Sequence, residues 1–177
     1  SFSLIFSQTN VSGTISSNTT WELDGSPYTI QDTVLIIYDV TLTIEPGVLV
    51  YFDEGALLRI INNGTLIAQG NETDSIFFRK SSGVTNVGGI LFEDVANGTE
   101  YINDSSYVSG SYIAYADFSN FTNTFLNVNM DLLMAHSTFD NNNSSENNIN
   151  FRGQIYRCTF KNNSNVWGGG AITGNPS

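Results

Sequence analysis

Three stretches decide the fold: Ile113-Ala-Tyr-Ala-Asp-Phe-Ser-Asn120, Met134-Ala-His-Ser-Thr-Phe-Asp-Asn141 and Ile155-Tyr-Arg-Cys-Thr-Phe-Lys-Asn162. They align without a gap at a step of 21 residues. Three columns follow, namely Phe118/Phe139/Phe160, Asn120/Asn141/Asn162 and the small set Ala116/Ser137/Cys158. Self-similarity at this period is the mark of a solenoid. About twenty residues suit one coil of several short strands and turns, and coils stacked about 4.8 Å apart put like side chains above like. Strand alternation turns Ala116 and Phe118 inward with their ladder partners. Asn at the following bend tolerates a left-handed backbone and can bond to the coil beside it. Cys158 fills a slot that elsewhere holds Ala or Ser.

Outward from these repeats the same grammar continues. Weaker partner strands follow the turns near Phe125–Val128 and Ile149–Phe151. Thr41-Leu-Thr-Ile44 and Thr65-Leu-Ile-Ala68 lie 24 residues apart. Short apolar runs such as Val34–Tyr38, Val48–Phe52 and Ala56–Ile61 are rich in β-branched and aromatic residues, and none has the length or period of an amphipathic helix. Asn63-Gly64, Asn97-Gly98 and Asp24-Gly25 do not join matched strand pairs, as a hairpin meander would require. The expectation is all-β: a parallel β-helix with coils of about 21–24 residues. An N-terminal strand, cap or subunit-linking arm occupies residues 1–20 and the β-helix residues 21–177.

Composition bounds the function. The chain has 177 residues, 6 Lys plus Arg against 17 Asp plus Glu, and a net charge of −11. That balance repels phosphate backbones and anionic lipid heads, so neither nucleic acid nor a polybasic membrane anchor is expected. No run reaches the length of a membrane helix, so no membrane insertion is expected. Ten Asn-X-Ser/Thr sequons begin at Asn10, Asn18, Asn63, Asn71, Asn97, Asn103, Asn120, Asn142, Asn143 and Asn162. Composition alone would give roughly half that number. The excess points to a secreted or cell-surface glycoprotein with N-glycans on exposed turns. Asn142 and Asn143 overlap, so both are not expected to be modified together. With Cys158 alone, no internal disulfide, zinc cluster or redox motif arises. No metal and no cofactor is expected.

Ser26-Pro-Tyr-Thr-Ile30, Leu42-Thr-Ile-Glu-Pro-Gly-Val48 and Gly64-Thr-Leu-Ile-Ala-Gln-Gly70 resemble the opening coils of secreted right-handed parallel β-helix proteins. Phe139-Asp-Asn-Asn142, Phe160-Lys-Asn-Asn163 and Gly169-Gly-Ala-Ile172 resemble the FxxN and GGAI repeats of polymorphic outer-membrane and adhesin-type β-helices. The resemblance implies the right-handed form of the fold and says little about function, because β-helices host lyases, hydrolases, adhesins and fibres alike. Phe118-Ser-Asn-Phe121 departs from FxxN.

Two classes of function follow. The first is a polysaccharide lyase or hydrolase using Tyr115, Asp117, His136 and Arg157. Alternation would turn these outward, with Asp117 diagonal to the chain's one His, a set able to move a proton and stabilise an anion. The other carboxylate pairs, Asp53-Glu54 and Glu93-Asp94, are adjacent in sequence and read as turn or strand-end residues. The second class is a non-catalytic extracellular structural glycoprotein, a subunit of a head-to-tail filament or surface appendage, or a carbohydrate-binding adhesin module using exposed Tyr and Asn. The expected partners are therefore further copies of the chain, covalent N-glycans and extracellular polysaccharide. The apolar Ser1–Ser7 is expected to pair with its own first coil or to extend into a neighbour, and at Trp167–Ser177, which has no charged closing segment, either further chain or a stacked subunit is expected to follow.

Overall fold

A computed structural model describes residues 8–102, 106–143 and 149–164. Among them are nineteen short strands, and all but one antiparallel pair wind in one direction as a parallel β-helix with three faces. Strands β1 (Thr9–Ile15) and β2 (Thr19–Trp21) form the first coil, β3 (Tyr28–Ile36) and β4 (Thr41–Ile44) the second. The third holds β5 (Leu49–Phe52), β6 (Leu57–Ile60) and β7 (Thr65–Gln69). The fourth holds β8 (Ile76–Lys80), β9 (Gly89–Phe92), a hairpin of β10 (Glu100–Ile102) and β11 (Ser106–Ser109), and β12 (Tyr112–Ala114). Then come β13 (Ala116–Ser119), β14 (Leu126–Val128) and β15 (Leu132–Ala135), followed by β16 (Thr138–Asp140), β17 (Ile149–Asn150) and β18 (Gly153–Tyr156). Strand β19 (Thr159–Lys161) opens a seventh coil. Within residues 1–20, read as an N-terminal strand, cap or subunit-linking arm, Thr9–Ile15 pairs in parallel with β3. Ser1–Ser7 and Trp167–Ser177 lie outside the described residues.

Face I stacks the first half of β3 with β5, β8, β13, β16 and β19, and face II stacks its second half with β6, β9, β14 and β17. Face III stacks β2, β4, β7, β12, β15 and β18. The repeat read from the sequence is the true register, since Phe118, Phe139 and Phe160 are direct partners. Their column runs back through Phe78 and Val50 to Tyr28. The rings stack at 4.8 Å (Phe78–Phe118), 5.0 Å (Phe118–Phe139) and 4.7 Å (Phe139–Phe160), within 11° of parallel. Thr41–Ile44 pairs with Thr65–Ala68 as the 24-residue spacing implies. Ile44, Ala68, Ile113, Met134 and Ile155 form the inner column of face III.

Coil length varies more than the sequence suggests. The step from Phe78 to Phe118 spans 40 residues, because the β10–β11 hairpin is inserted between faces II and III. Tyr101 and Tyr107 fold back over the outside of face III, where they cover Tyr112, Ala114, Leu133 and Ala135. Tyr107 stacks on Tyr112 at 4.6 Å. An apolar patch outside the helix is thereby buried, and the β-helix gains a second, external core.

Polar side chains inside the coil ends explain the other ladders. Ser137 Oγ accepts the Ala116 N–H at 3.1 Å and donates to Ala135 O at 2.9 Å. Cys158 sits one coil on, its thiol 3.6 Å from Tyr156 O, and burial pushes that thiol up to about 11. Asn120, Asn141 and Asn162 are left-handed, with φ of 66°, 54° and 54°. Asn141 Nδ2 donates to Asn120 Oδ1 at 2.6 Å, but Asn162 Nδ2 turns to Asp140 Oδ1 at 3.0 Å.

Candidate functional site

The row Tyr115, His136 and Arg157 is real, although strand alternation is not its cause. Each is the single left-handed residue at the edge where face III turns into face I, with φ of 49°, 50° and 51°. That conformation is costly for a non-glycine residue. It is held here between coils: Tyr115 N–H donates to Ala135 O at 3.1 Å and His136 N–H to Tyr156 O at 2.9 Å. Tyr115 and His136 stack at 4.7 Å and 8°, Tyr156 meets His136 edge-on at 5.6 Å, and Arg157 lies over Tyr156 at 5.0 Å.

Asp117 does not join them. It lies on face I, where it pairs with Arg79 at 2.8 Å and accepts the Ser119 hydroxyl. Arg79 Nη1 also donates to Asp117 O at 2.7 Å. A general base must reach the proton it takes, and this carboxylate is committed to a guanidinium on another face. The rings of Tyr115 and His136 each cover one face of the other, and Tyr156 meets His136 edge-on, so the imidazole is held within the stack. The four residues are a packed corner and a neighbouring ion pair.

Face II carries a site that the sequence reading missed. An open groove of about 590 Å³ is lined by Leu91, Glu93, Asp94, Asn127, Asn129 and Arg152. Strand pairing puts Arg59, Leu91, Asn127 and Asn150 in one outward column. Asn150 Nδ2 donates to Asn127 Oδ1 at 3.1 Å. Glu93 is paired with Arg59, whose Nε lies 2.6 Å away, and Arg152 with Asp131 at 3.1 Å. Stacked amides between paired charges are a surface of donors and acceptors suited to hydroxyl-rich ligands. Two free carboxylates of the kind glycoside hydrolysis uses are not assembled here, since Glu93 belongs to Arg59. The 23-residue step from Asn127 to Asn150 was the available signal. It went unread because Asn is common in this chain.

The sequons divide by burial. Asn10, Asn18, Asn63, Asn71, Asn97, Asn120, Asn143 and Asn162 are exposed. Asn103 lies outside the described residues. Asn142 must be removed from the candidates, because it is fully buried. Its Oδ1 accepts the Phe121 N–H at 3.0 Å and its Nδ2 donates to Phe118 O at 2.9 Å. Asn163 repeats this one coil later, accepting from Asn142 N–H and donating to Phe139 O, each at 2.9 Å. Both polar ends of Asn142 serve the backbone, so an attached glycan has no room in this fold. Phe121, the residue that breaks FxxN, takes the equivalent inner position and stacks on Phe125 at 4.2 Å.

Among the described residues no three His, Cys, Asp or Glu side chains are grouped so as to hold a metal ion, and no helix is long and apolar enough to cross a membrane. No family model, no curated protein and no solved structure matches this chain.

Proposed function

We propose that this chain is a non-catalytic, N-glycosylated extracellular β-helix that presents surfaces rather than turning over a substrate. The observation that carries this reading is the exposure of eight sequon asparagines, seven of them at bends and one, Asn10, in the outermost coil. Glycans there would hydrate the sides of the solenoid without touching its core. The dispersal of Tyr115, Asp117, His136 and Arg157 between a stacked corner and a salt bridge supports a non-enzymatic role. Secretion of the chain from eukaryotic cells and peptide mapping after deglycosylation in heavy-oxygen water tests it. Modification at several exposed sequons and none at Asn142, with no release of reducing ends or unsaturated sugars from polysaccharides, is the expected result. An unmodified secreted chain, or turnover, would overturn the reading.

The face II groove favours a second component, contact with extracellular carbohydrate as in an adhesin module. Its amides and paired charges suit a neutral polyol better than an apolar ligand. End-to-end stacking into filaments remains part of the proposal, and electron microscopy of native material scores it. The described outer strand β1 is polar and shifts register between Val11 and Gly13. A bulge of that kind blunts a strand edge, so the filament contact would run through something other than a regular ladder at β1.

A further inference from the structure

The edge between faces III and I has six successive corners, and their chemistry splits in half. The first three are acidic: Glu22 and Asp24 at the first, Glu45 at the second, Glu72 and Asp74 at the third. The last three carry Tyr115, His136 and Arg157. The corners form one continuous ridge. Leu23 N–H donates to Glu45 Oε2 at 3.1 Å, a Cβ on Gly47 would touch both Leu23 and Asp74, and Gly70 N–H donates to Ala114 O. Leu23 is 53% exposed on the acidic half.

Two further facts single out this ridge. Arg59, Arg79, Arg152 and Lys161 pair with carboxylates of the same chain and Lys80 donates to Val84 O, whereas Arg157 is exposed and rests on the Tyr156 ring. The exposed sequons also avoid the aromatic half. Asn18, Asn63 and Asn97 lie between faces II and III, and Asn120, Asn143 and Asn162 lie between faces I and II. Among the described sequons, Asn71 is on this ridge, at its third corner, and Asn10 lies on β1 beside the first corner, where Thr9 N–H donates to Pro27 O.

We infer that this ridge docks a second copy of the chain, side by side and antiparallel, about a two-fold axis between the third and fourth corners. The pattern is self-complementary about that point, as an isologous contact requires. Arg157 of each copy faces Glu22 and Asp24 of the other, His136 faces Glu45, and Tyr115 faces Glu72 and Asp74. Both ridges step by the same coil rise of about 4.8 Å, so the three contacts register together on each side of the axis. A ridge some 24 Å long buries on the order of 1,000 Å² in total, which is a small interface, and the dimer is accordingly weak. The charge halves stand whether or not the sequons are occupied, so this inference is separable from the glycoprotein reading.

Sedimentation equilibrium between about 5 and 200 µM, on secreted protein with its glycans trimmed to the first sugar so that Asn71 carries no bulk, tests it. A monomer–dimer equilibrium is expected. Arg157→Glu and, separately, Asp24→Arg each weaken it by about tenfold or more, and the double variant restores it to near wild type. Arg152→Glu, on face II, leaves it unchanged. Circular dichroism confirms that each variant is folded. A wild-type monomer at the top concentration, an Arg157→Glu variant that dimerises normally, or a charge-swapped double variant that stays monomeric would overturn the inference.

Discussion

Phe139→Ala empties the middle of the aromatic column, and the geometry sets its size. Phe139 is fully buried, 5.0 Å from Phe118, 4.7 Å from Phe160 and 6.3 Å from Phe125 between ring centres. Truncating a buried Phe costs about 3–5 kcal/mol, combining lost transfer energy and the cavity left behind. The upper half of that range applies, because Phe139 has rings on both sides along the axis and a third beside it. The backbone cannot collapse into the gap, since β16 is pinned in register to both β13 and β19. At about 2–4 °C per kcal/mol for a chain of this size, the melting temperature falls by roughly 8–20 °C. Solenoid coils stabilise mainly their neighbours, so the loss is local as well as global. Hydrogen exchange read by mass spectrometry should show β13, β16 and β19 losing protection first, while β4–β7 keep theirs. Phe160→Ala, at a half-buried position, should cost less. A melting shift under about 2 °C, or a larger effect at Phe160 than at Phe139, would refute the stacked-column account.

Three further outcomes follow from the same structure. Asn142→Ala removes the partners of Phe121 N–H and Phe118 O and should destabilise by about 2–4 kcal/mol, whereas Asn141→Ala, at an exposed left-handed corner, should cost less, about 1–2 kcal/mol; chemical denaturation compares them. Gly89→Ala forces a side chain onto a left-handed backbone with φ of 73° and drives its methyl into the Phe125 carbonyl, so the soluble yield and melting temperature should both drop. Burial raises the Cys158 thiol to about 11, so its stabilising contribution is complete below the unfolded thiol value, near 8.5–9, and is lost as pH rises through about 11. Thiol titration at pH 8 should therefore be slow in the folded chain and fast in denaturant, and prompt labelling of the folded protein would contradict the burial.

What was legible in the sequence was whatever repeats with side-chain identity. Phe118, Phe139 and Phe160 announce their register because stacking rings above rings favours the same residue in each coil. The earlier coils are harder to read, since Tyr28, Val50 and Phe78 fill the same column with different residues and spacings. Apolar shape is conserved there while the letters change. The 40-residue fourth coil hid its hairpin for a related reason. Tyr101 and Tyr107 pack on an external face whose apolar members, Tyr112, Ala114, Leu133 and Ala135, are interleaved with the inward ones and blur the alternation.

The candidate site misled for a sharper physical reason. Period-two alternation assumes an unbroken strand, yet Tyr115, His136 and Arg157 each interrupt one with a left-handed turn. The residues on either side then belong to different faces. Asp117 is two positions from Tyr115 in the chain and still belongs to face I, in the company of Arg79. A corner residue also escapes the pleat, which lets its side chain stack along the axis instead of projecting into a groove. The earlier corners of the same ridge are longer turns, residues 22–27, 45–48 and 70–75, and they carry carboxylates where the later single-residue corners carry the aromatic ladder. Functional residues on a β-helix are therefore better sought by corner index than by strand parity. Read that way, the six corners of this ridge are a single pattern, and the charge swap between Asp24 and Arg157 tests whether that pattern is one surface.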